Sequence, residues 1–130
     1  MTIPPGVDEF LRKPNAAVIA TVRPDHYPMT VVTWYDWDGA RVLVNMARER
    51  SRLAWMRVDP RVSLTVFDDD WYTHVSFTGD VVEFQDDTDL ADIDSLAMRY
   101  NGKPFWNRKA DRVSAWIEPR DWHVWELDRR

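Results

Sequence analysis

The feature that most restricts this chain is its succession of short β-type segments, each closed by turn chemistry and only twice broken by helical periodicity. Ala16 to Val22 is a mostly apolar run, followed by the turn Pro24-Asp25-His26. Met29 to Tyr35 is rich in Val and Thr. Asp38-Gly39 marks a hairpin, across which Arg41 to Met46 is expected to pair back, making a three-stranded meander. In Arg61 to Phe67, Val62, Leu64 and Val66 face one side and Ser63 and Thr65 the other. Tyr72 to Phe84 reads as a long strand with Gly79 at a bulge or close backbone approach. Arg112 to Glu118 and Asp121 to Leu127 read as two closing strands.

The helical segments are few. Val7 to Lys13 is a short helix stopped by Pro14, and Glu49 to Val58 carries Leu53 and Met56 before Asp59-Pro60. Asp89 to Tyr100 has the apolar stripe Leu90, Ile93, Leu96 and Tyr100, ended by Asn101-Gly102. Lys103 to Asp111 is a loop or short helix with Phe105 and Trp106. Together these predict a mainly β fold with peripheral helices, a six- to seven-stranded antiparallel barrel, in one domain over residues 1–130. A chain of 130 residues buries an ordinary core without staples.

Several chemistries are disfavoured. Without cysteine there is neither a disulfide nor a thiolate metal site. His26, His74 and His123 form no close-spaced pair, and Asp68-Asp69-Asp70 alternate in direction, so no metal site is expected. There is neither Gly-x-Ser-x-Gly nor Gly-x-Gly-x-x-Gly. The residues Met1 to Gly6 lack a basic stretch followed by an apolar one, and no apolar run is long enough to span a bilayer. A cytoplasmic protein without membrane partners is expected. The net charge of −5 disfavours nucleic acid. Yet Arg41, Arg48, Arg50, Arg52, Arg57 and Arg61 crowd one stretch, which fits either a small anionic ligand or a solvated helix face.

The junction Asn45-Met46-Ala47-Arg48-Glu49-Arg50-Ser51-Arg52 runs from strand to helix. It offers free backbone N–H groups, a hydroxyl and two guanidiniums, all suited to a phosphate. The eight tryptophans serve as core, interface or ligand walls, and composition does not separate these uses. Trp34 is accordingly either a packed strand residue or part of a site. Tyr35, Tyr72 and His74 are candidate proton donors by side-chain type alone.

The chain resembles the pyridoxamine-phosphate-oxidase-like split β-barrel proteins, most closely the actinobacterial members that use the deazaflavin coenzyme F-420. The resemblance runs from about Phe10 to Trp125 through Ala20-Thr21-Val22, Asp25-x-x-Pro28, Thr33-Trp34-Tyr35, Asp38-Gly39 and Arg50-x-Arg52. It continues through Asp59-Pro60-Arg61-Val62-Ser63-Leu64, Gly79 and Arg99-Tyr100-x-Gly102. Arg52 stands where the family commonly has lysine, and Trp55 where asparagine is usual. His26 replaces a frequent glycine, and Val32 a proline or asparagine of some members.

The resemblance implies a homodimer with the cofactor ring against Val32, Thr33 and Trp34. It also implies that the ribityl phosphate arm runs along Asn45, Met46, Ala47, Arg50, Ser51 and Arg52, with Arg41 and Arg48 extending the basic track. The function implied is hydride transfer from reduced coenzyme F-420 to a small unsaturated or conjugated organic acceptor. The alternatives are an FMN-dependent oxidase-type enzyme and a non-catalytic flavin or deazaflavin carrier. No catalytic acid or base is assigned.

Overall fold

A computed structural model describes residues 2–127. Its helices are α1 (Val7–Leu11), α2 (Ser51–Val58) and α3 (Ala91–Asn101). Its strands are β1 (Ala16–Val22), β2 (Pro28–Thr33), β3 (Asp36–Trp37), β4 (Val42–Ala47), β5 (Arg61–Phe67), β6 (His74–Asp86) and β7 (Arg112–Trp125). All seven join one antiparallel sheet in the order β2-β1-β5-β6-β7-β4-β3.

That order places β2 and β3 at opposite edges, although only Trp34 and Tyr35 separate them in sequence. Three Cα–Cα steps of 3.8 Å reach no more than about 11 Å. The sheet must therefore curl until its edges nearly meet, without the edges hydrogen-bonding to each other. The result is a split β-barrel, as expected. The expected meander is corrected: β2 pairs with β1 only, and β4 pairs with β7 and with the two-residue β3. Apolar alternation fixes which face of a strand is buried, but not its neighbour.

The barrel interior holds Ile19, Val42, Val44, Met46, Leu64, Val75, Phe77 and Ile117. Phe10 and Leu11 of α1 and Leu53 and Met56 of α2 join the same cluster. The alternation read in Arg61 to Phe67 is the observed one, with Val62, Leu64 and Val66 buried. A second cluster lies outside the barrel, where α3 lays Ile93 and Leu96 against Leu43, with Trp34, Phe105 and Trp116 packed around them. Strand β4 is thus covered on both faces, which explains its unbroken burial from Val42 to Met46.

The two closing strands read from the sequence are one strand, β7. Its Pro119 lies opposite Gly79, where the β6–β7 register shifts. A Cβ on Gly79 would stand 2.6 Å from the Glu118 carbonyl oxygen, so the close approach read there is real. The bulge absorbs the proline that reads as a break in sequence. Among the described residues no helix is long and apolar enough to cross a membrane.

Candidate functional site

The outward face of β4 and β7 presents Asn45 opposite Ser114 and Ala47 opposite Arg112. Helix α3 covers this face, and its first turn is tied to it. The Asp87 carboxylate accepts the backbone N–H groups of Asp92 (3.0 Å) and Ile93 (2.9 Å), filling the orphan donors of the helix start. Asp87 also accepts Asn45 Nδ2 at 3.1 Å. The same Nδ2 donates to Ser114 Oγ at 3.0 Å, and that hydroxyl donates to Asp92 at 2.6 Å. The Asn45 amide is thereby fixed with its oxygen toward Arg112, whose Nε donates to it at 2.9 Å.

Beside this network lies a cavity of about 290 Å³ lined by Val32, Thr33, Trp34, Asn45, Arg52, Ile93, Leu96, Phe105 and Arg112. A second cavity of about 500 Å³ shares Phe105 and Arg112 with it and adds Arg50, Trp106 and Lys109. The cavities bring together Val32, Thr33, Trp34, Asn45, Ala47, Arg50 and Arg52 of the expected residues. Met46 turns its side chain into the barrel core, and Ser51 is exposed outside both cavities.

The electrostatics single out three guanidiniums. Among the described residues Arg50, Arg52 and Arg112 make no ion pair. Burial, then the nearby Arg50 and Arg112 charges, hold Arg52 below the usual arginine range. Burial and Arg50 act likewise on Arg112. The other arginines of the crowded stretch are engaged. Arg41 pairs with Glu83 and stacks on Trp116, and Arg48 pairs with Asp86 and Asp111. Arg57 stacks on Phe84, and Arg61 pairs with Asp59. Arg50 and Lys109 line the second cavity with Arg112, whereas Arg41 and Arg48 line neither cavity.

Arg112 and Phe105 escaped the sequence reading. The only available signal was phase: Arg112 alternates with the core residues Val113, Ala115 and Ile117, and so faces outward. The candidate proton donors line neither cavity. The buried Tyr35 hydroxyl donates to the Leu11 and Lys13 carbonyls at 2.9 Å each, and burial pushes it far above the usual tyrosine range. His74 stacks with His123 and Trp125, and exposed Tyr72 stacks on Trp71.

A split β-barrel with three guanidiniums that make no direct ion pair, beside an aromatic-walled slot, can hold an anionic group next to a flat one. The chain belongs to the family described as pyridoxamine 5'-phosphate oxidase, which matches residues 3–126. Among solved structures it is similar to an F420 reductase at 30% identity, covering 93% of this chain and 98% of that one, with a TM-score of 0.85. It is also similar to a conserved hypothetical protein from Mycobacterium tuberculosis at 24% identity, over 98% and 86% of the two chains, TM-score 0.77. The General Stress Protein 26 from Bacillus anthracis shares the fold at 14% identity, over 93% and 92%, TM-score 0.73. No curated protein matches the chain.

Proposed function

We propose that this protein is a cytoplasmic oxidoreductase, a single-domain homodimer that transfers a hydride from reduced coenzyme F-420 to a small unsaturated or conjugated organic acceptor. The carrying observation is the set Arg50, Arg52 and Arg112, without ion-pair partners among the described residues and gathered at the aromatic-walled slot. Arg52 and Arg112 are half-buried with the exposed Arg50 charge close by, and like charges so placed are costly unless an anion joins them. The likeness to an F420 reductase supports the choice of deazaflavin.

The residues fit such a cofactor. Arg52 and Arg112 would hold the phosphate by charge-assisted hydrogen bonds. Trp34, Ile93 and Leu96 supply an apolar wall for the ring, with the exposed Val32 at its rim. The second cavity adds Arg50 and Lys109 to Arg112, against the carboxylates of Glu49 and of Asp111, which is paired with Arg48; this excess of cations suits the anionic tail that distinguishes the deazaflavin from FMN. When bound, the cofactor supplies the hydride, and the protein supplies binding, orientation and electrostatics. FMN remains the second reading, favoured by the family match and by the phosphate anchor it would share.

The homodimer is supported by β2, an edge strand whose Met29, Val31 and Val32 are all exposed. An apolar edge of this kind invites a covering surface. The functional reading is tested by following the absorbance of reduced coenzyme F-420 with a panel of conjugated acceptors. Protein-dependent oxidation with at least one acceptor is expected. Tight binding without turnover across the panel would mark a carrier instead.

A further inference from the structure

Trp34 and Tyr35 lie between β2 and β3, outside the sheet ladder. Their backbone is nonetheless held, and by side chains of α3. The Tyr35 N–H donates to Tyr100 Oη at 3.3 Å, and its carbonyl accepts Arg99 Nε at 3.0 Å. Tyr100 Oη donates in turn to the Asn15 carbonyl at 2.8 Å, with a longer contact of 3.4 Å to the Tyr35 carbonyl. Arg99 also binds the carbonyls of Leu11, Arg12 and Lys13 at the end of α1. The Tyr100 ring lies parallel to the Trp34 indole, 6° between planes and 5.4 Å between centroids.

Helix α3 therefore does two things at the slot. Ile93 and Leu96 line it, and Tyr100 stacks on the indole that walls it. Resting on the cofactor reading above, we infer that Tyr100 is a positioning residue. Through its stack on Trp34 it sets the slot for the ring of the ligand, and it takes no part in holding the phosphate. An unstacked indole has free torsions and room to swing into the slot. A ring-bearing ligand would then have to order it on binding.

The test compares a ring-bearing ligand with a ringless one, by calorimetry on the full chain. The ring-bearing ligand is FMN or coenzyme F-420, whichever the wild type holds more tightly; the ringless one is inorganic phosphate. Tyr100→Leu should bind the ring-bearing ligand roughly three- to tenfold more weakly, the range that ordering one aromatic side chain contributes. Its affinity for inorganic phosphate should match the wild type. Tyr100→Phe keeps the stack and loses only the hydroxyl, so its thermal midpoint falls while its ring affinity stays near wild type. Equal weakening of both ligands in Tyr100→Leu, unchanged ring affinity, or equal damage in Tyr100→Phe would overturn the inference. Should Tyr100→Leu fail to fold, Tyr100→Met, which keeps the bulk without the planar stack, must show the same ring-selective loss, and its absence would equally overturn the inference. A wild type that binds neither ring-bearing ligand defeats the cofactor reading and this inference together. Ring binding by the wild type without a selective loss defeats only the inference.

Discussion

Arg52 sits in the first turn of α2, next to Leu53 in the barrel core, so the packing of one residue aims the other at the cavity. Held half-buried near Arg50 and Arg112, its charge opposes folding until an anion arrives. Arg52→Ala should therefore leave the ligand-free protein at least as stable as wild type in chemical denaturation. The same change removes charge-assisted hydrogen bonds of about 1.5–3 kcal/mol, so phosphate-bearing ligands should bind about ten- to a hundredfold more weakly. Arg57→Ala, which loses only a stack on Phe84, should bind them as wild type does. Equal binding by Arg52→Ala and wild type in calorimetry would move the anion site elsewhere. The pair Arg50 and Arg52 was legible because both flank a recognisable helix start. Arg112 was not, because it reaches the same spot through the β4–β7 register, which no local pattern encodes.

At the level of elements, the strands declared themselves wherever one face met the core and the other did not, as in β5. The misreadings were of pairing and continuity. Strand β2, correctly read and correctly paired with β1, does not pair onward with β4, and β7 runs through a proline because Gly79 on β6 yields to it. That fit makes Gly79 the critical residue of the long hairpin. Gly79→Ala would press a methyl group against the Glu118 carbonyl, and overpacking of this kind costs about 1–3 kcal/mol. Urea denaturation should show that loss. A variant as stable as the wild type would mean the β6–β7 bulge relaxes freely. The boundary residues of α3 were also hidden in sequence, since Asp87, four residues before the helix, supplies the side chain that caps it.

For the whole molecule, barrel, helix α3 and the loop from Lys103 to Asp111 meet at one seam, and the cationic slot lies there. The loop is pinned by Asp94, which accepts the Phe105 N–H at 2.9 Å and pairs with Arg108. Phe105 is thus fixed between the two cavities. If the proposed homodimer covers the exposed β2 edge, sedimentation velocity should report a particle of twice the 15.4 kDa chain mass. A monomer that still binds cofactor tightly would contradict the dimer. The proposed cofactor, a deazaflavin with an anionic tail, would occupy the slot and its continuation past Arg112. A fluorescence titration of the purified protein with coenzyme F-420 and with FMN at the same ionic strength decides between the two cofactors. Saturable binding of both is expected, with coenzyme F-420 the tighter and its advantage shrinking as salt screens the tail. Tighter binding of FMN, or binding of neither, would contradict the deazaflavin reading.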